Sequence, residues 1–332
     1  MDIFNDVRDG IFMQRAQVPQ YAGLTGLPFG NVGKMRSYGA DAAGSYTHEL
    51  RQDMSFTVRG NFTYSKNNVI NWEEANPKYP HQERSGYPYN AIRGYKSLGL
   101  FQDEHDITTS PVQTFGAVMP GDIKYRDING DGRIDYDDMV PLSFSNYPLL
   151  MYGFGGEWRY GNLTVGIQFK GAGKTDFFHV GYSDSQVSDN GSGYVPFYNG
   201  QYGNVLTIVS DPSNRWIPRD YAIAQDIDPT LAENPNARFP RLSYGRNNNN
   251  AQLSDFWKGD ARYLRLQEVI VNYNLRKPAL QRIGISSIDL QLMATNLYLW
   301  DKVKIFDPEQ AKFNGNVYPI PTTFSLQMYI NL

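Results

Sequence analysis

The sequence predicts an all-β protein whose antiparallel strands form a transmembrane β-barrel, and three observations support this prediction. Several segments alternate strictly between apolar and polar residues, most clearly residues 323–332. Aromatic residues, which favour strands and membrane interfaces, make up 14% of the 332-residue chain. Long and short connections between the predicted strands follow one another in turn. No apolar run approaches the roughly 18–20 residues that a membrane-spanning helix requires.

The terminal segment carries the clearest alternation. Thr323, Ser325 and Gln327 are polar, whereas every second residue between and after them is apolar. A period of two indicates a strand whose two faces meet different surroundings, and about ten residues suffice for a tilted strand to cross a bilayer. A soluble β-sandwich would show the same period, so this segment alone leaves both alternatives open. The apolar residues are Phe324, Leu326, Met328, Ile330 and Leu332.

Seven earlier segments are also predicted to be strands. The dipeptide Gly161-Asn162 separates two alternating runs and therefore predicts a tight hairpin turn between them. A Pro/Gly-rich stretch, Gln14–Lys34, predicts a loop. In chain order the predicted strands cover residues 2–13, 36–46, 55–64, 151–160, 163–170, 263–275 and 287–300.

The connections between these strands are alternately long and short. The long ones cover residues 14–34, 65–148, 171–260 and 301–321. Outer-membrane barrels have short turns on the periplasmic side and long loops outside, whereas a sandwich has no reason to segregate its loops in this way. We therefore expect residues 65–148 and 171–260 to be long extracellular loop regions. The second is too long for a structureless connection and should contain local hairpins or a short helix.

Composition excludes several classes of protein. The net charge is −3, from 31 basic and 34 acidic residues, and the basic residues are dispersed, which argues against nucleic-acid binding. The chain has no cysteine and hence neither a disulfide framework nor a thiolate metal site. The first residues lack a basic segment followed by an apolar one, so no signal peptide is predicted within the sequence.

One acidic stretch, residues 127–138, fits the twelve-residue pattern of a calcium loop. Such a loop surrounds one cation with hard oxygen ligands, and Gly132 permits its sharp bend. Its last position is aspartate instead of glutamate, and no amphipathic helix precedes it, so we expect a structural Ca²⁺ that pins a long loop. The alternative is a solvated acidic turn. The predicted ligands are Asp127, Asn129, Asp131, the carbonyl oxygen of Arg133, Asp135 and Asp138.

The second long region is rich in aromatic residues that could stack on sugar rings of a substrate. The candidates are Trp216, Trp257 and Tyr198. Packing of the loop itself is the alternative. No enzyme is predicted, because the four histidines are scattered, no nucleophile elbow occurs, and Gly171–Thr175 lacks the first glycine of a phosphate loop.

The chain also resembles a known family, the SusC/RagA-type TonB-dependent outer-membrane transporters, through a series of short motifs. These motifs occur in the order of the family and cover nearly the whole chain. They are Arg8-Asp9-Gly10-Ile11-Phe12, Pro120-Gly121-Asp122-Ile123-Lys124-Tyr125-Arg126-Asp127 continuing to Asn129-Gly130-Asp131-Gly132, Tyr152-Gly153-Phe154-Gly155, Tyr263-Leu264-Arg265-Leu266 with Tyr273, Asn296-Leu297, Phe306-Asp307-Pro308-Glu309 and Tyr318-Pro319.

The resemblance implies the C-terminal part of a 22-stranded barrel in the outer membrane of a Gram-negative cell. Residues 1–332 would form this barrel part, with the plug domain and the signal peptide absent. Such transporters import oligosaccharides or peptides, with energy passed through TonB, which would contact the missing N-terminal part. A SusD-like lipoprotein usually caps them. The family commonly ends in an aromatic residue, whereas this chain ends in Leu332.

Two rival functions come from other classes. One is a secreted, calcium-bound β-sandwich module that binds glycans, which would stay in water without detergent. The other is a β-rich glycoside hydrolase, which would need two carboxylates about 5–9 Å apart in one cleft. The resemblance also implies that residues 1–332 could neither insert nor transport alone, since such a piece has two open sheet edges.

Overall fold

A computed structural model gives the fold and describes residues 1–16, 26–74, 77–143, 147–179, 205–243, 247–310 and 318–332. The strands are β1 (Asp2–Gln14), β2 (Phe29–Arg51), β3 (Met54–Asn71), β4 (Ile92–Gly94), β5 (Ser97–Leu100), β6 (Val112–Gln113), β7 (Ile123–Tyr125), β8 (Arg133–Ile134), β9 (Val140–Ser143), β10 (Leu150–Tyr160), β11 (Leu163–Gly173), β12 (Asp176–Phe178), β13 (Lys258–Asp260), β14 (Tyr263–Leu275), β15 (Ser287–Asp301) and β16 (Thr323–Asn331). The α-helices are α1 (Glu104–Thr109), α2 (Thr207–Ser210), α3 (Arg219–Ala224) and α4 (Pro278–Gln281). Short 3₁₀ helices cover Pro80–Gln82, Tyr136–Asp138, Pro229–Leu231 and Asp255–Trp257.

Eight long strands form one antiparallel sheet in the order β1-β2-β3-β10-β11-β14-β15-β16. Each of these strands pairs with the next one along the chain that belongs to the sheet. This arrangement is an up-and-down meander, the topology of an antiparallel barrel wall. The prediction of an all-β, antiparallel barrel portion is confirmed. Several strands are longer than predicted, most of all β2 with 23 residues, whereas β14 has the predicted bounds.

The connections within the sheet alternate as the sequence predicts. Short ones cover residues 52–53, 161–162 and 276–286, and long ones cover residues 15–28, 72–149, 174–262 and 302–322. Because neighbouring strands run in opposite directions, all four long connections leave from the same end of the sheet. We call this end the loop end of the sheet.

The two faces of the sheet differ in chemistry. On one face Leu326 pairs with Leu292, and the row continues through Val271 to Val165. On the other face the adjacent row is Gln327, Gln291, Asn272 and Thr164. We call these the apolar face and the polar face. Residue pairs directly opposite in an antiparallel sheet share a face, so the alternation within each strand produces this separation.

The apolar face is not covered by protein among the described residues. Leu326 is 77% exposed and Leu292 is 51% exposed. The remaining described sheets have two strands each, and none forms a second layer large enough to pack on this face. The β-sandwich alternative is therefore wrong, since a sandwich buries the apolar faces of two sheets against each other.

The two longest connections fold together into a compact unit, which we call the loop lobe, comprising the described residues of 72–149 and 174–262. Its core combines side chains from both connections, and it contains strands β4–β9, β12 and β13, helices α1–α3 and the 3₁₀ helices up to Trp257. Among the described residues of the connection 174–262, the predicted short helix is present as α2 and α3, whereas β12 pairs with the distant β13 and the two do not form a local hairpin. The largest core residues are Tyr95, Leu100, Ile123, Tyr125, Ile134, Val209, Trp216, Phe239 and Trp257. No helix among the described residues is long and apolar enough to cross a membrane.

Candidate functional site

Residues 127–138, here called the acidic loop, lie in the loop lobe; they begin two residues after β7 and end with the 3₁₀ helix at Tyr136–Asp138. The carboxylate of Asp127 accepts hydrogen bonds from the backbone N–H groups of Gly130, at 2.6 Å, and Gly132, at 2.8 Å. Both glycines adopt positive φ angles, 78° and 82°, which the tight bend requires. Asn129 and Asp131 add side-chain-to-backbone bonds of their own, each to the residue two positions ahead. The loop is therefore curled by its own polar side chains.

Asp138 closes the acidic loop from the other end. Its side chain is fully buried and accepts hydrogen bonds from the backbone N–H groups of Ile128, at 2.8 Å, and Asp135, at 2.9 Å. The first bond places the twelfth position of the loop beside the residue that follows the first position. The two ends of the predicted ligand set are thus brought together, as a cation site would require.

The donor set fits a calcium ion in chemistry, but its carboxylates point to backbone N–H groups. Among the described residues, no three His, Asp or Glu side chains form a group that could hold a metal ion. An ion would recruit Asn129 and the Arg133 carbonyl oxygen as well as carboxylates. Ca²⁺ binding requires Asp127 and Asp131 to turn their remaining lone pairs inward, and it stays a prediction.

The outer side of the acidic loop is attached to residues 78–82 through Asp137. Lys78 Nζ lies 2.6 Å from one carboxylate oxygen of Asp137, and Gln82 Nε2 donates to the other at 3.0 Å. Hydrogen bonds from Lys78 and Gln82 hold the pKa of the Asp137 carboxyl below its ordinary value. His81 contacts the Asp137 carbonyl oxygen at 2.6 Å. Asp137 is not one of the predicted ligands, so it anchors the loop without occupying the ligand positions.

A buried carboxylate links the two halves of the loop lobe. Asp122 is fully buried and accepts hydrogen bonds from Arg241 Nη2 at 3.0 Å and from the amides of Asn247 and Asn250, each at 2.9 Å. The Met119 backbone N–H donates a fourth bond at 2.9 Å. Asp122 belongs to the connection 72–149, whereas its side-chain partners all belong to the connection 174–262. A buried charge is tolerated when it is paired and fully hydrogen-bonded in this way.

The asparagine run and Asp122 illustrate what sequence analysis missed. A run of four asparagines, Asn247–Asn250, would ordinarily be solvent-exposed, yet Asn249 and Asn250 are 1% and 0% exposed. The sequence offers two signals for this contact: a family motif that contains Asp122, and a polar run to which no structural role was assigned. Neither signal specifies that the two segments meet.

Trp216 and Trp257 lie in the core of the loop lobe. They are only 4% and 1% exposed, and Trp257 Nε1 donates to the Asn250 carbonyl oxygen at 2.8 Å. A ring that is covered on both faces has no surface on which a sugar could stack, so their placement favours the packing alternative. Tyr198 lies outside the described residues.

A second charged cluster holds the last long connection against the polar face of the sheet. Arg265 of β14 is almost completely buried, and it pairs with Asp307, at 2.5 Å, and Glu309, at 2.7 Å. Lys170 of β11 also pairs with Glu309, at 2.8 Å. The motif Phe306–Glu309 therefore supplies the two acidic residues that hold the connection 302–322 against strands β11 and β14.

Comparisons with known proteins agree with this architecture. No family model matches the chain. Two curated proteins of Formosa agariphila are similar to it: TonB-dependent receptor P26, 26% identical over 71% of this chain, and TonB-dependent receptor P3, 20% identical over 90% of it. The chain covers 22% and 27% of these two proteins, about a quarter of their length.

Solved structures of a transporter share the fold. The chain is similar to "Structure of the RagAB peptide importer in the 'open-open' state", with a TM-score of 0.68 and 16% identity, over 99% of this chain and 32% of that one. It is also similar to "Structure of the RagAB peptide transporter", with a TM-score of 0.66, 16% identity and the same coverage. At this identity the likeness supports the fold alone. Both Formosa agariphila relatives are named as receptors, and neither is named as an enzyme.

The receptor relatives, the shared fold and the order of the motifs point to one family. The motifs span the chain from Arg8 to Pro319, and they lie on or beside the strands of a meander whose topology is that of a barrel wall. The similarity to two TonB-dependent receptors and the fold shared with the RagAB transporter therefore support the resemblance to SusC/RagA-type TonB-dependent receptors.

Proposed function

We propose that the protein carrying this chain imports nutrients across the outer membrane of a Gram-negative cell, with energy passed through TonB. The observation that carries this proposal is the eight-stranded meander, which has one bare apolar face and one polar face. A barrel wall solvated by lipid outside and by water inside has this pair of faces. A soluble protein would have to cover the apolar face.

The loop end then faces the cell exterior, and the loop lobe covers part of the barrel mouth. A SusD-like lipoprotein is the proposed partner on that side, which the likeness to a RagAB complex supports. Import would consist of binding and translocation, without covalent chemistry.

The proposed substrate class is oligosaccharides or peptides. The polar face offers neutral and basic hydrogen-bonding groups, such as Arg59, whose Nε donates to Gln168 Oε1 at 3.1 Å, and Asn61 beside them. Sugar hydroxyls and peptide amides both suit such groups. The name of the solved transporter refers to peptides. A sugar substrate would follow the expectation from the family resemblance.

Uptake by whole cells tests this proposal. A deletion strain complemented with the full-length receptor would be given fluorescent oligosaccharides and fluorescent peptides of similar size. We expect uptake of one class, with loss of uptake when TonB is removed. Receptor-dependent uptake that persists without TonB, or failure of the receptor to reach the outer membrane, would contradict the proposal.

We also propose that the acidic loop binds Ca²⁺ as a structural ion. The hydrogen bond that the Asp138 carboxylate accepts from the Ile128 N–H brings the two ends of the loop together. Asp127, Asn129, Asp131, Asp135 and the Arg133 carbonyl oxygen would supply further oxygen ligands. The ion would stabilise the loop lobe and would have no catalytic role.

Calorimetric titration of the full-length receptor with Ca²⁺ tests the acidic loop. We expect binding heat in the wild type and its loss in Asp127→Ala. Asp137→Ala is the matched control, because Asp137 lies in the same loop but is bonded to Lys78 and Gln82 instead of facing the ligand positions. Absence of heat in the wild type, or unchanged heat in Asp127→Ala, would exclude the site.

A further inference from the structure

A groove opens on the apolar face, at the loop end of the sheet. Its volume is about 550 Å³. We call it the rim groove. Its lining combines aromatic and basic side chains. The lining residues used below are Tyr152, Arg262, Trp300, Asp301 and Lys302.

The strand pairing places the aromatic side of the rim groove on the apolar face. Trp158 pairs with Val165 of the apolar row, and Tyr152 lies six residues earlier on β10, which pairs without a bulge on both sides. An even separation keeps the two side chains on one face. Trp300 belongs to the same face, since it pairs with Leu264, and Leu264 pairs with Gly171, which in turn pairs with Tyr152.

The rings form a belt across neighbouring strands. Trp300 is 47% exposed, and its ring centroid lies 4.6 Å from that of Tyr298 and 6.4 Å from that of Phe169. Gly171 lets the ring of Tyr152 lie across β11, because a Cβ atom at this position would overlap the ring. Exposed Trp and Tyr side chains at the end of an apolar strand face mark the level of lipid head groups.

Three cations lie just beyond this belt on neighbouring strands. Lys174 follows β11, Arg262 precedes β14 and Lys302 follows β15. The side chains of Arg262 and Lys302 are 59% and 70% exposed. The Nζ atom of Lys174 lies 4.9 Å from the ring centroid of Tyr64. Each cation therefore lies nearer to the loop end of the sheet than the aromatic rings do.

One carboxylate organises the basic side of the rim groove. Asp260 pairs with Arg262 Nη2 at 2.5 Å and lies 3.6 Å from Lys302 Nζ. Hydrogen bonds from Arg262 lower the pKa of Asp260 to about 2, so this carboxylate stays charged and keeps the two cations together. Asp301, which also lines the groove, pairs with Lys304. The cluster thus keeps an excess of positive charge beside the aromatic belt.

We propose that the rim groove binds the phosphate group of an anionic lipid of the outer leaflet. Arg262 and Lys302 contact the phosphate, and an acyl chain lies along Tyr152 and Trp300. Cations at head-group depth attract anionic lipids, and aromatic rings offer an apolar surface just below them. The inference rests on the proposed outer-membrane function, because only a bilayer brings such a lipid to this face.

Native mass spectrometry of the full-length receptor in a neutral detergent tests the rim groove, with diphosphoryl lipid A as the probe. The test variant is the double substitution Arg262→Gln/Lys302→Gln. The matched control is Arg126→Gln/Arg219→Gln, which removes two cations from the loop lobe away from the sheet. We expect the test variant to bind lipid A about 10- to 30-fold more weakly, since each cation near a membrane contributes roughly a factor of five. The control should bind as the wild type does.

The other outcomes separate the possible failures. Equal binding by wild type and test variant would overturn the site, while normal insertion of both into lipid nanodiscs would leave the proposed function standing. Competition by inorganic phosphate as strong as that by lipid A would overturn the lipid assignment in favour of free phosphate. A wild-type receptor that stays in water without detergent and enters no nanodisc would overturn the proposed function and, with it, the lipid site.

Discussion

Asp122 and Arg241 form a salt bridge in which residues 119 positions apart tie the two longest connections of the sheet together. The pair is reinforced by the backbone, since the Arg241 N–H donates to the Gly121 carbonyl oxygen at 3.0 Å. Because the Asp122 carboxylate is fully buried and has four partners, neither connection can move away without leaving buried polar groups unpaired. The loop lobe is therefore one unit made from two distant segments.

Substitution of Asp122 by alanine is expected to loosen both connections at once. It leaves Arg241, Asn247 and Asn250 without their acceptor, and breaking a buried pair in this way costs about 3–5 kcal/mol. Hydrogen exchange of the intact receptor should show faster exchange in residues 92–125 and in residues 237–257 together. Glu233→Gln is the control, because its pair with Arg219 is exposed and contributes less than about 1 kcal/mol. Retained protection in residues 237–257 of Asp122→Ala would contradict the coupling.

Gly121→Ala should destabilise the loop lobe through two separate effects. Gly121 has a φ of +86°, which disfavours any side chain, and a Cβ atom there would overlap the indole ring of Trp216. Gly116→Ala is the matched control, since Gly116 also has a positive φ, +144°, but faces open space. Thermal unfolding followed by Trp fluorescence should show a larger loss for Gly121→Ala. Equal losses would mean that Trp216 yields to the added methyl group.

Because of His179, the loop lobe should become less stable as the pH is lowered. Burial, assisted by nearby Arg238, lowers the pKa of His179 from the ordinary 6.5 to about 4. The unfolded chain therefore binds more protons than the folded one between these values, so the stabilisation is complete above pH 6.5 and is lost as the pH falls towards 4. His179→Phe should flatten this dependence in exchange rates around β12 and β13. An unchanged pH profile in the variant would assign the effect to other groups.

The eight-stranded sheet could be predicted from the sequence because its determinants are local. Alternation identifies each strand and face, as in Phe324–Ile330, and connection length gives the order of the meander. The predicted strands 36–46 and 55–64 are too short, since β2 and β3 extend beyond them. Polar residues such as Asn67 and Asn68 interrupt the apolar rows, and the alternation therefore ends before the strand does. Hydrogen bonding between the strands continues past the apolar band, since the backbone pairs whatever the side chains are.

The loop lobe could not be predicted because its determinants are long-range. Trp216 and Trp257 read as aromatic residues of a polar loop, and only contact with Gly121 and with Asn250 makes them core. The acidic loop is an intermediate case. Its curl follows from local Asx bonds that the motif encodes, whereas its carboxylates accept hydrogen bonds from backbone N–H groups, a geometry that the motif alone does not specify.

Leu292→Arg should be strongly destabilising, whereas Gln291→Arg, its neighbour on the same strand, should be tolerated. Leu292 lies in the apolar row with Leu326 and Val271, so lipid surrounds it if the sheet is a barrel wall. Arginine on the lipid-facing side near the bilayer centre costs about 2–4 kcal/mol, whereas a polar, water-facing position accepts it at a cost below about 1 kcal/mol. Urea unfolding of the full-length receptor in lipid vesicles gives the two free energies. Equal losses, or a larger loss for Gln291→Arg, would show that the faces are reversed or that the apolar face meets protein.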